Sequence, residues 1–141
     1  MQKRKGFSLI EIMIVIIILG LLAGLVLPKL LGQADKAKKK IVCIQMHSLK
    51  DALKNFKLDN GMYPTTEEGL NALLKNPDPE KYKGYSSGGY LDGKAPLDPW
   101  KNPYVFINED GNLDFISLGA DGQEGGSGEK ADIVFSKDCQ R

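Results

Sequence analysis

The chain has 141 residues, 42% of them hydrophobic and 26% charged, with 19 basic against 18 acidic side chains. That composition excludes long disorder, a collagen repeat and a disulfide-dense miniprotein, and the charge balance gives no overall pull toward nucleic acid. One histidine and two cysteines leave almost nothing from which to build a His/Cys zinc site.

These averages run over unlike parts. Phe7 to Leu27 are 21 residues with a single charge, Glu11. As a helix they span about 30 Å, one bilayer core. A helix apolar on all sides belongs in lipid or in the centre of an assembly. Lys3, Arg4 and Lys5 precede it in the manner of a secretory signal. The apolar run is too long for a cleaved signal, however, and no A-x-A-like site follows it. The basic flank does not set orientation either, because Lys29, Lys36, Lys38, Lys39 and Lys40 follow on the other side. A carboxylate inside an apolar helix needs a partner. A break between Gly6 and Phe7 would free an α-amino group about one helical turn from Glu11, within one chain or between neighbouring chains.

The run Lys3-Arg4-Lys5-Gly6-Phe7-Ser8-Leu9-Ile10-Glu11 ahead of an apolar helix resembles the class III leader of type IV pilins and type II secretion pseudopilins. The resemblance implies that a prepilin peptidase removes residues 1–6 and methylates the Phe7 amine. It also implies that the apolar segment anchors the subunit in the inner membrane, leader in the cytoplasm, before forming a filament core. Membrane lipid is then a partner before assembly. Pro28 cannot donate to the carbonyl of Gly24 and crowds it, so a bend or local opening is expected there. In related filaments the stretch matching Gly20, Gly24 and Pro28 loses helical structure on assembly, and the same is expected here in the filament.

Above the anchor, Val42, Met46, Leu49, Leu53 and Phe56 recur at intervals of four and three, an apolar stripe of helical period closed by Asp59-Asn60-Gly61. One long helix is therefore expected, with a small domain on its upper stripe. Lys36, Lys38, Lys39 and Lys40 either touch anionic headgroups or form a solvated face. Thr65-x-x-Glu68 is a capping box opening a short helix with Leu70, Leu73 and Leu74. Residues 77–103 read as an ordered loop, with surface tyrosines in Lys81–Tyr85. Tyr104–Ile107 and Leu113–Ile116 flank Asn108–Asn112 as a β-hairpin.

Tyr63-Pro64-Thr65-Thr66-Glu67-Glu68-Gly69-Leu70, Asp98-Pro99-Trp100-Lys101-Asn102-Pro103 and Ser117-Leu118-Gly119-Ala120-Asp121-Gly122, in this order, are similar to the major pseudopilins of type II secretion. The resemblance implies an α+β, type IV pilin-like fold: a long N-terminal helix on a small antiparallel sheet, with a calcium-ordered C-terminal loop. Three segments follow: leader 1–6, transmembrane and filament-core helix 7–32, and a periplasmic domain 33–141 that includes the upper helix. The implied function is structural, a subunit polymerising into the pseudopilus that pushes folded substrates through the outer-membrane secretin. The implied partners are other copies, minor pseudopilins, the assembly platform and the prepilin peptidase. A type IV pilin for adhesion, motility or uptake is the alternative in the same class. A membrane-anchored enzyme or binding protein is the alternative in another.

Residues 119–132 hold four carboxylates and five glycines. From the residues alone this is either a cation loop, since calcium takes six to eight oxygens including carbonyls, or a solvated acidic turn. The family pattern implies calcium, held by the Leu118 carbonyl, Asp121 and Asp132. Ala131 stands where some members have an acid, leaving Ser127 or the Gln123 carbonyl to complete the shell. Cys43 and Cys139 in an oxidising periplasm are either a disulfide or two free thiols. No nucleophile elbow, phosphate loop or dinucleotide fingerprint is present, so no enzyme is expected, and Lys81–Tyr85 is too weakly charged to suggest nucleic acid.

Overall fold

The computed structural model describes residues 4–140. Lys3 of the basic leader and the C-terminal Arg141 lie outside them. The chain divides into two units at Lys36/Ala37. Helix α1, Leu9–Asn60, supplies nearly all of the first unit and the spine of the second.

In the first unit the apolar side chains from Phe7 to Leu31 are exposed, and an 18-residue window reaches a mean hydropathy of 3.0 with none of it buried. The helix passes through Gly20, Gly24 and Pro28 without interruption. Proline removes only one backbone hydrogen bond, and the apolar turns on either side are good helix formers. The local opening expected at Pro28 is therefore absent from the single chain.

In the second unit, the stripe Val42, Met46, Leu49, Leu53 and Phe56 is buried, as the period of the sequence requires. Each such side chain contributes about 1.5–3 kcal/mol by leaving water. Strands β1 (Val105–Glu109), β2 (Asn112–Ser117) and β3 (Ile133–Val134) form an antiparallel sheet in the order β1-β2-β3. Phe106 and Phe115 of the sheet join Phe135, at the head of the short helix α2 (Phe135–Asp138), in the core with α1. The hairpin is tighter than the sequence suggests. Its strands continue to the pair Glu109 and Asn112, leaving a two-residue turn at Asp110-Gly111, both with positive φ. The third strand carries only two residues, too few for an alternation to be read.

The capping box forms as expected. Glu68 N–H donates to Thr65 Oγ1 (3.2 Å) and Thr65 N–H to Glu68 Oε2 (2.9 Å). It opens a single turn, after which Gly69 has φ of 63°. A 3-10 turn at Leu70–Leu73 comes next, and Leu74 lies just beyond it.

The tyrosines of the long loop turn toward the core, Tyr82 fully and Tyr85 and Tyr90 in part. Tyr82 is buried, with its ring edge-on to Phe56 at 4.9 Å, and Tyr85 and Tyr90 pack against the same ring. Each hydroxyl finds a partner. Tyr82 donates to Glu68 Oε2 at 2.6 Å, Tyr85 to the Ala72 carbonyl at 2.8 Å and Tyr90 to Asp59 Oδ2 at 2.9 Å. An aromatic ring with a satisfied hydroxyl is a core residue despite its polar tip.

Candidate functional site

Two regions bear the residues singled out in the sequence, one in each unit. In the first, residues 4–8 have no regular structure and Ser8 caps α1, its Oγ accepting the Glu11 N–H at 3.3 Å. Ser8-x-x-Glu11 is thus the start signal of the helix. The Gly6-Phe7 bond precedes the cap in irregular backbone, with open space around Gly6 and the Phe7 ring exposed. Glu11 sits in the first turn, where unbonded backbone N–H groups favour a carboxylate. Phe7 and Glu11 therefore lie together at one helix end, ahead of an apolar surface left exposed among the described residues.

The second region is the glycine-acid loop. It is held from below by Asp98, a buried carboxylate that reasoning from sequence did not single out. Its Oδ1 accepts the N–H groups of Trp100 (3.0 Å) and Asn102 (2.8 Å), and its Oδ2 the hydroxyl of buried Ser117 (2.8 Å). Asn102 Nδ2 donates to the Gly119 carbonyl at 3.0 Å, locking the first turn of the loop. Gly119 has φ of 70°, and a Cβ there would stand 2.8 Å from the Ala131 carbonyl oxygen and 2.9 Å from that of Glu129. Only glycine lets the two ends of the loop approach so closely. Ala120 N–H closes the contact by donating to the Glu129 carbonyl at 2.8 Å.

Within the loop, Asp121 Oδ1 accepts the Gln123 N–H (3.1 Å) and Asp132 Oδ2 the Gly125 N–H (3.0 Å). Asp132 Oδ1 is buried and has no hydrogen-bond partner. A buried carboxylate oxygen without a donor is costly unless a water or a cation meets it. A hard cation with oxygen ligands is one group that could meet it. Among the described residues no three acidic, histidine or cysteine side chains converge. Carbonyl and hydroxyl oxygens would therefore have to supply most of any such shell.

The loop and chain end are fastened to α1 by groups that had another reading in the sequence. Lys38 Nζ pairs with Glu129 at 3.0 Å and lies 5.6 Å from the Trp100 ring centroid, and Lys39 Nζ pairs with Asp138 at 3.3 Å. Neither is a free cation for headgroups. Asp138 also accepts the Val134 N–H (2.8 Å), which with Lys39 holds its carboxyl below the usual range against the opposing effect of burial. Cys43 and Cys139 form a disulfide with Cα atoms 5.2 Å apart, and His47 Nε2 lies 3.1 Å from the Cys139 carbonyl. The charge spacing of Lys38 and Lys39 carried no trace of partners ninety residues away.

Comparison with known proteins covers both units. Residues 29–136 match the family described as "Type II secretion system (T2SS), protein G", and residues 1–27 match the "Prokaryotic N-terminal methylation motif". The chain is 47% identical over 139 residues to type II secretion system core protein G of Pseudomonas aeruginosa, covering 94% of this chain and 96% of that protein. It is 45% identical over 135 residues to core protein G of Vibrio cholerae, covering 94% and 92%. Among solved structures it is similar to the major pseudopilin of the type 2 secretion system of enterohaemorrhagic Escherichia coli, at 34% identity. The TM-score is 0.62, over 76% of this chain and 93% of that one. An unburied apolar stem behind a methylation motif and a domain built on its own helical stripe thus meet in one lineage: this chain belongs to the protein G family of type II secretion, the major pseudopilins, and is a structural subunit of the pseudopilus.

Proposed function

We propose that this subunit works by exchanging the solvent of its stem, first lipid and then other copies of itself. Its filament would push folded substrates through the outer-membrane secretin. The observation that carries the reading is the stem: an apolar helix surface exposed among the described residues, headed by Gly6-Phe7-x-x-x-Glu11. A prepilin peptidase cuts after Gly6 and methylates Phe7. The leader is cytoplasmic before cutting, and the domain from residue 33 onward is periplasmic. Minor pseudopilins and the inner-membrane platform receive the subunit.

In the assembled state the Phe7 amine of one copy meets Glu11 of a neighbour. Both charges leave water together, so their attraction acts in a low dielectric and fixes the axial register of the stems. Opening of the helix around Gly20, Gly24 and Pro28 belongs to this state, where neighbours can satisfy the freed backbone groups.

The loop of the second unit would hold one calcium ion through the Leu118 carbonyl, Asp121 and Asp132, with the Gln123 carbonyl and Ser127 completing the shell. Bound calcium supplies positive charge between otherwise repelling oxygens and so adds to the stability of the C-terminal half. The Asp132 Oδ1 atom, buried without a donor, supports this assignment.

The experiment is intact-mass analysis after co-expression with a prepilin peptidase. Loss of residues 1–6 and gain of one methyl group is expected; an uncut chain would refute the reading. The type IV pilin alternative has no observation in its favour, since the protein G match covers the domain that would have to differ.

A further inference from the structure

The lysines that follow the stem have separate fates. Lys38 and Lys39 are spent on Glu129 and Asp138 of their own domain. In the first unit, Lys29, Gln33 and Lys36 are exposed. At about 100° per residue, Gln33 and Lys36 stand within roughly 40° of Lys29, so the three share one face of α1. Asp35 is half-buried and lies about 100° around the helix from Lys36. In the sequence, Lys40 continues the same spacing. The stripe begins where the apolar surface ends. Leu30 and Leu31, next to Lys29, are 55% and 65% exposed, and Lys36 stands about 7.5 Å beyond Leu31 along the axis.

We propose that Lys29, Gln33 and Lys36 form a docking stripe for the phosphate headgroup of an anionic phospholipid, at the level where the stem leaves the bilayer. This rests on the membrane reading of the stem and names the lipid class that the subunit selects. Two observations choose the occupant. The first is charge: two ammonium groups flank an amide that can also donate, a set complementary to a phosphodiester anion. A zwitterionic lipid carries its own cation beside the phosphate and gains less. The second is height. An apolar helix of about 20 residues fills the hydrocarbon core, so the residues just past its end stand among the headgroups. Helical side chains tilt toward the N-terminus, which here carries the Lys36 ammonium back toward the stem. Removal of residues 1–6 would take away Lys3, Arg4 and Lys5 and leave this stripe as the basic side chains adjoining the stem. Each lysine close to an anionic surface strengthens the association about fivefold. The bound lipid is then a ligand that the subunit must give up when its stem leaves the bilayer.

The test reconstitutes the full-length chain in vesicles of equal parts phosphatidylglycerol and phosphatidylcholine. The protein is extracted in mild detergent and its retained lipid counted by native mass spectrometry. The wild-type chain is expected to keep phosphatidylglycerol over phosphatidylcholine by about tenfold or more. Lys29→Gln with Lys36→Gln should cut that preference about tenfold, whereas Lys29→Arg with Lys36→Arg should preserve it. Lys38→Gln with Lys39→Gln should preserve it too, because those two side chains serve the domain. The Cys43–Cys139 disulfide and the melting temperature should be unchanged in the variants at 29 and 36, which separates loss of lipid from loss of fold. Equal retention of the two lipids by wild type, or an undiminished preference in the glutamine variant at 29 and 36, would overturn the stripe and leave membrane anchoring standing. Lost filament with unchanged lipid preference in that variant would also overturn it, giving the stripe to another copy. Failure of the wild-type chain to enter the vesicles would overturn both readings.

Discussion

Glu68 shows how one side chain can serve several levels of structure. Burial alone would raise its pKa, but the Tyr82 hydroxyl, the Thr65 N–H and Lys81 together hold the carboxyl below its usual 4.5. Asp138 is lowered from 3.8, chiefly by the Val134 N–H. A carboxyl whose pKa is lower in the folded than in the unfolded state adds stability above the unfolded value and loses it as pH falls through the folded one. The melting temperature should therefore decline as pH drops below 4.5, and Glu68→Gln should flatten that decline. A pH series on wild type and variant checks it; identical slopes would count against Glu68. Tyr82→Phe removes the 2.6 Å bond but keeps the ring on Phe56, so it should cost about 1–2 kcal/mol. Denaturant titration measures that difference. The capping pair at Thr65 and Glu68 was legible from spacing alone, because both partners lie within one turn. For Asp98 the motif was legible but its bond to Ser117, nineteen residues away, was not.

At the scale of elements, the C-terminal segment is fixed by a covalent bond and by packing. Replacing both Cys43 and Cys139 by serine opens a loop of 96 residues and should cost about 2–5 kcal/mol, read by thermal melting. Gly119→Ala forces a Cβ into backbone oxygens under 3 Å away at a positive φ, and should destabilise by more than a typical surface change. Amide exchange in residues 119–132 should quicken in that variant while α1 above Ala37 remains protected. Helix periodicity and the hairpin were readable here because each is a local pattern. The short helix after Gly69 is of 3-10 type and stops at Leu73, because a capping box reports where a turn starts and not how far it continues.

The whole molecule couples these parts to assembly. Chelation should lower the melting temperature of the wild-type chain, and Asp132→Asn should remove that sensitivity; a melting temperature indifferent to chelator would refute the calcium assignment. Glu11→Ala should insert in membranes normally, since an apolar helix needs no charge to insert, but should fail to assemble; normal filaments in that variant would refute the Phe7–Glu11 pairing. The sequence by itself determined the stem, the N-terminal methylation motif, the buried stripe of α1 and the family, because each is written in residues close together along the chain. Only the tertiary structure decided that the two cysteines are bonded, that the tyrosines face inward and that Lys38 and Lys39 are held by Glu129 and Asp138. Those features depend on residues up to a hundred positions apart being brought together, and the packing of the core around Phe56, Phe115 and Phe135 is what brings them there.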